Sequence, residues 1–120
     1  MKKNIFIVDD SAFMRMMLKD ILKRAEYEIV GEAENGKAAV DLYSQLHPDL
    51  TLMDITMPEK NGLQALKEIR ALDPDAAVIM MAVQGEENRA LMCKLAGAKG
   101  SISKPFQQAP VLEAVKKVLR

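Results

Sequence analysis

Cysteine is nearly missing from this 120-residue chain: Cys93 stands alone, so an internal disulfide is excluded. No metal-ligand pattern flanks it, and in the helical stretch LMCKLAG the thiol reads as a small buried apolar side chain. An excess of either charge is missing too, because 17 lysines and arginines face 17 aspartates and glutamates. With no global field to draw it to nucleic acid or an acidic membrane surface, the chain must recognise its partners through local chemistry. Long apolar runs are also absent. The N-terminal MKKNIFIVDD carries two lysines and an apolar stretch, but that stretch is too short for a signal-peptide core and ends in two acids. Nothing later reaches membrane-spanning length, so a cytoplasmic protein is expected. There is no repeat, low-complexity segment or linker, and the length suits one domain over 1–120, expected as a monomer. The only histidine, His47, precedes Pro48 and reads as a helix end, with no catalytic role.

What is present begins with IFIVDD, Ile5 to Asp10, where four apolar residues run straight into two carboxylates. A solvated edge strand would alternate polar with apolar residues, so an unbroken run fits a strand buried on both faces, as in a parallel sheet covered by helices. Asp9 and Asp10 then follow its carboxyl end, where open α/β sheets place their ligands.

The same alternation of short apolar runs and helical stripes continues to the end. NIFIV, YEIVGEA, DLTLMD, AAVIMMAV and the weaker KGSIS read as strands. Between them Met14, Met17, Leu18, Ile21, Leu22 and Ala25 share one helical face that Ser11 caps, and Ala39, Leu42, Tyr43 and Leu46 share another. LQALKEIRALD and EENRALMCKLAG are further helices, the latter stopped by Gly97, and Val111, Ala114, Val115 and Val118 form the stripe of the last. Five strands alternating with five helices predict an α/β fold, a doubly wound parallel sheet with helices on both faces. Most of the nine methionines are expected to fill the core, whereas Phe13 and Met16 fall off the inward stripe and form a small exposed apolar patch.

Asp54 ends the third predicted strand as Asp9 and Asp10 follow the first, so neighbouring strands bring three acids to one sheet edge. Crowded carboxylates repel and raise one another's pKa unless a cation joins them. An all-oxygen set suits Mg²⁺, and no dense acidic loop of the EF-hand kind argues for calcium. Lys104, after the fifth strand, completes a place where a phosphoryl group is shared between metal and ammonium, with a carboxylate as acceptor. In KPF a cis bond before Pro105 is expected.

On these residues the chain resembles the receiver domain of bacterial two-component response regulators, in particular the stand-alone chemotaxis, CheY-like type. IVDDSAFMR is similar to that family's acidic pair and first helix, PDLTLMDITMPEKNG to its phosphoacceptor segment and AGAKGSISKPF to its lysine segment. The resemblance covers the whole chain. It implies the flavodoxin-like strand order 2-1-3-4-5, of which CheY is itself a standard example. It implies Asp54 as phosphoacceptor from a histidine kinase, and Mg²⁺ held by Asp10 and Asp54, by Asp9 largely through water, and by the backbone carbonyl of Thr56. Lys104 would contact the phosphoryl oxygens. It further implies no catalytic enzyme but a signal passed to a downstream protein, of which a flagellar motor component is one choice.

The departures fall at the switch positions. Where Ala82 stands the family usually carries Ser or Thr, whose hydroxyl donates to the phosphoryl group and draws its loop inward; alanine has no donor. Ser101 occupies the place of a Tyr or Phe that swings inward, and serine has no ring to move. Val83 is bulkier than the small residue often found there and is expected to fill the space the aromatic would claim. Lys94 and Leu95 likewise alter the usual output face. Two readings follow: a phosphoacceptor with an atypical switch, or a phosphate sink or phosphorylation-independent binding module that has lost its output. A dehalogenase-type phosphotransferase would need an Asp-x-Asp strand end and a cap. A flavin carrier would need a Ser/Thr/Gly-rich phosphate loop after the first strand, and DDSAFM would repel a phosphate without metal.

Overall fold

The computed structural model describes residues 2–119; Met1 and Arg120, the ends of the expected domain, lie outside them. The elements run β1 (Asn4–Val8), α1 (Ala12–Arg24), β2 (Glu28–Ala33), α2 (Gly36–Leu46), β3 (Leu50–Asp54), α3 (Gly62–Leu72), β4 (Val78–Ala82), α4 (Glu87–Leu95), β5 (Gly100–Ser103) and α5 (Gln108–Leu119). All neighbouring strands pair in parallel, in the order β2-β1-β3-β4-β5.

Period-two alternation splits the central strands between two cores. Phe6, Val8, Met53 and Met80 point toward α2, α3 and Cys93 of α4, while Ile5, Ile7, Leu52, Ile79 and Met81 point toward α1 and α5. The sheet is therefore doubly wound, and the inner strands β1 and β3 are buried on both faces, β1 with an unbroken apolar run and β3 with Thr51 as the one polar residue before its terminal acid. On α1, Leu18 and Leu22 lie one turn apart and are fully buried, so truncating either to alanine costs about 2–5 kcal/mol. Met53, Met57, Met80 and Met81 fill the core, Met92 is exposed, and Met16 is exposed as expected. Phe13 joins Met16 as the predicted apolar patch on α1.

The helix ends obey local chemistry. Ser11 Oγ accepts from the Met14 N–H at 3.2 Å, and Asn61 and Gln64 form a reciprocal capping box that starts α3 beside the end of β3. His47 closes α2 in the left-handed conformation, and Gly97, at φ 111°, ends the turn after α4. The Lys104–Pro105 bond is cis.

With β2 on one side of β1 and β3 to β5 on the other, the winding reverses between β1 and β3. A crevice opens there, at the carboxyl ends of both strands.

Candidate phosphoryl and metal site

Both strands flanking that crevice end in acid. Asp9 follows β1 and is fully buried, Asp10 is exposed on the bend beyond it, and Asp54 is the last residue of β3, 5% exposed. One carboxylate oxygen from each lies within 4.8 Å of the others. The β1–α1 corner is built to hold this geometry. Ser11 N–H donates to Asp9 Oδ1 at 2.9 Å, and Arg15 donates to the Asp9 carbonyl at 2.6 Å while its Nε reaches Glu32 on β2 at 2.9 Å. At the end of β3, Gly62 lies so close to the Asp54 carbonyl that a Cβ there would stand 2.2 Å from its oxygen.

Lys104 closes the cluster from the loop after β5, Nζ 2.7 Å from Asp9 Oδ2 and 3.3 Å from Asp54 Oδ2. The close Asp9 contact occupies one lone pair of this buried Oδ2 and leaves capacity for a second partner. Burial pushes the Asp54 carboxyl up; Lys104 pulls it down and Asp9 and Asp10 push it further up, leaving it at about 6. Burial works against the Lys104 ammonium, but Asp9 and Asp54 outweigh it and hold its pKa above the ordinary lysine value.

Four predicted residues, Asp9, Asp10, Asp54 and Lys104, are thus brought together, and Thr56 lies two positions beyond Asp54. The remaining three lie alongside: the Lys104 N–H donates to the Ala82 carbonyl at 2.8 Å, and Ala82, Val83 and Ser101 share a groove with Lys104. Ala82 ends β4, and the groove, open and of about 940 Å³, lies between α4, β5 and α5. Val83, 45% exposed, is among the residues that line this groove.

Two residues that sequence reasoning passed over also reach the site. Glu86, just before α4, accepts from the Thr56 hydroxyl at 2.6 Å and from the Val83 N–H at 2.9 Å, and Arg89 NH1 donates to Thr56 Oγ1 at 3.0 Å. Burial raises the Glu86 carboxyl, yet the two donors, with Arg89 and Lys104 nearby, outweigh it and leave the pKa below the ordinary glutamate value. No spacing in the sequence ties Thr56 to Glu86; the folded loops do.

The chain matches the family described as the response regulator receiver domain over residues 5–116. It belongs to that family. Across 98% of its own length and 98% of theirs, this receiver is 52% identical to the chemotaxis protein CheY of Thermotoga maritima, and across 99% of each to that of Bacillus subtilis at the same identity. Its fold superposes with a TM-score of 0.94 on the crystal structure of the CheX-CheY-BeF3-Mg²⁺ complex from Borrelia burgdorferi, at 36% identity, covering 98% of this chain and 90% of that one. The receiver is therefore of the CheY-like type, a signalling phosphoacceptor with an acidic Asp9, Asp10 and Asp54 site rather than a catalytic enzyme.

The donor set fits Mg²⁺. It is all oxygen, it includes a buried carboxylate oxygen with capacity to spare, and its exposed member, Asp10, faces the solvent from which a hydrated ion arrives. When bound, the ion neutralises the acids and shares the charge of a phosphoryl group.

Proposed function

We propose that Asp54 takes a phosphoryl group from the phosphohistidine of a histidine kinase and that the modified domain signals through protein contacts. An Asp54 carboxylate oxygen attacks phosphorus, a P–O bond forms as the P–N bond breaks, and the electron pair leaves on the histidine nitrogen. Lys104 holds the transferred oxygens; Asp10, Asp54 and the Thr56 carbonyl would hold Mg²⁺, with Asp9 acting largely through water. The observation that carries this reading is the position of Asp54 Oδ2, 3.3 Å from the Lys104 ammonium at the mouth of a three-carboxylate cluster.

Output through the face of α4, β5 and α5 is supported by apolar side chains that α4 leaves in solvent, Leu91, Met92 and, at 80% exposure, Leu95. A downstream protein, for which a motor component is one choice, would dock there. Nothing in the charge balance favours nucleic acid, and no helix among the described residues is long and apolar enough to cross a membrane. A cytoplasmic, monomeric receiver acting as one domain fits these features.

One observation favours the second reading, a phosphate sink or a binding module indifferent to phosphorylation. Ala82 supplies no hydroxyl, and Ser101 no ring, for the usual inward movement. Treating the chain with acetyl phosphate and Mg²⁺ while following intact mass and amide NMR separates the cases. The proposal expects one phosphoryl mass that Asp54→Asn lacks, with shifts on the α4 face. Mass gain with that face silent indicates a sink, and no mass gain leaves only the binding module.

A further inference from the structure

The clamp of Thr56, Val83 and Glu86 bridges the two loops that border Asp54: Thr56 belongs to the segment after β3, Val83 and Glu86 to the segment between β4 and α4. A single carboxylate, with only 12% of its side chain exposed, ties them together. Its two donors, a hydroxyl and a backbone N–H, are neutral groups of the kind that bind an oxyanion. Glu86 is also the residue immediately before α4, and its carboxylate is spent on the clamp and makes no cap hydrogen bond to the helix's first turn. Through Glu86 and through Arg89 in its first turn, the start of α4 is tethered to Thr56, and loss of the Glu86 contact loosens that tether.

We propose that Glu86 is a built-in competitor for the phosphoryl group: it occupies donors at the mouth of the Asp54 site, and phosphorylation expels it, releasing the N-terminal turn of α4. This inference rests on the reading of Asp54 as phosphoacceptor. The physical reason is like charge. A phosphoryl group adds about 1.5–2 negative charges and three acceptor oxygens at the place where a carboxylate already sits. Either Glu86 keeps Thr56 and Val83, or the phosphoryl oxygens draw these donors away. Arg89, which already donates to the Thr56 hydroxyl and lies 3.9 Å from Glu86 Oε2, is the cation on α4 positioned to follow the stronger anion. A route from Asp54 to α4 of this kind needs neither a hydroxyl at position 82 nor a ring at position 101.

The test titrates the full chain with beryllofluoride and Mg²⁺, read by amide NMR, and compares it with Glu86→Gln and Glu87→Gln. Glu87 is the adjacent acid and carries the same charge outside the clamp, accepting only from Gly85 N–H at 3.3 Å. In the unsubstituted chain, saturation is expected to shift the Val83 amide and those of the first turn of α4. Glu86→Gln should bind beryllofluoride about 5-fold tighter or more, start with those amides already displaced, and show a smaller further shift. Glu87→Gln should change affinity clearly less. Glu86→Ala, which removes the carboxylate and leaves both donors free, should move affinity in the same direction as Glu86→Gln and serves if that variant does not fold. Beryllofluoride binding with equal affinity in all four proteins, or with the α4 amides unmoved, would overturn the competitor while leaving Asp54 as acceptor. No binding to any of them would remove the acceptor reading, and the competitor with it.

Discussion

Lys104 Nζ sits 2.7 Å from Asp9 Oδ2, and both side chains are withdrawn from solvent, 9% and 0% exposed. Because Lys104 also neighbours Asp54, it is the main compensation for the acid cluster when no metal is bound. Lys104→Met should destabilise the metal-free fold by about 3 kcal/mol, since removing one partner strands buried charge on the other. Added Mg²⁺ should recover much of that loss. Thermal melts of both proteins, with and without Mg²⁺, check this; an equal loss under both conditions would contradict it.

The raised pKa of Asp54 makes metal-free stability fall with rising pH. The folded carboxyl keeps its proton up to about pH 6, whereas the unfolded one releases it near 3.8. Between those values the folded state binds more protons, so stability present at low pH is lost as pH climbs toward 6, by at most on the order of 3 kcal/mol. Asp54→Asn has no such proton to lose. It should be more stable than the parent above pH 6 and nearly equal to it at pH 4, as read from urea midpoints across that range without Mg²⁺.

Gly62 is required by distance. A Cβ at this position would meet the Asp54 carbonyl oxygen at 2.2 Å and the Ile55 Cα at 2.9 Å, both of them backbone that cannot swing aside. Gly62→Ala should cost about 1–3 kcal/mol and also slow phosphorylation by acetyl phosphate, because relief must come from the end of β3 itself. A variant of parental stability and rate would show that the strand end tolerates the shift.

Thr51 is a separate case, buried in β3 with a hydroxyl that has no partner. Thr51→Val keeps the shape and removes the unsatisfied oxygen, so a gain of about 1 kcal/mol is expected in denaturant unfolding. The phosphorylation rate should stay unchanged, since the position is three residues back from the crevice end of the strand. A loss of stability would mean that the hydroxyl has a partner in solution.

The strands β1 and β3 were legible as buried because β1 is an unbroken apolar run and β3 breaks its run only at Thr51. Their terminal acids were legible for the same reason: a carboxylate at the end of such a run can only lie at the sheet edge. The 45% exposure of Val83 was not legible, because bulk does not say which way a loop side chain faces.

The sequence by itself determined the alternation of strand and helix, the two-sided sheet and the three carboxylates with their lysine, since each follows from periodicity or from charge at a strand end. Tertiary structure alone decided that Glu86 meets Thr56, 30 positions away, and that Arg15 pins the Asp9 carbonyl. Those contacts join loops and corners whose positions are set by how the packed elements bring them together. No local pattern of residues encodes that approach, because its energy comes from the packing of the whole sheet and not from the loops that it brings face to face.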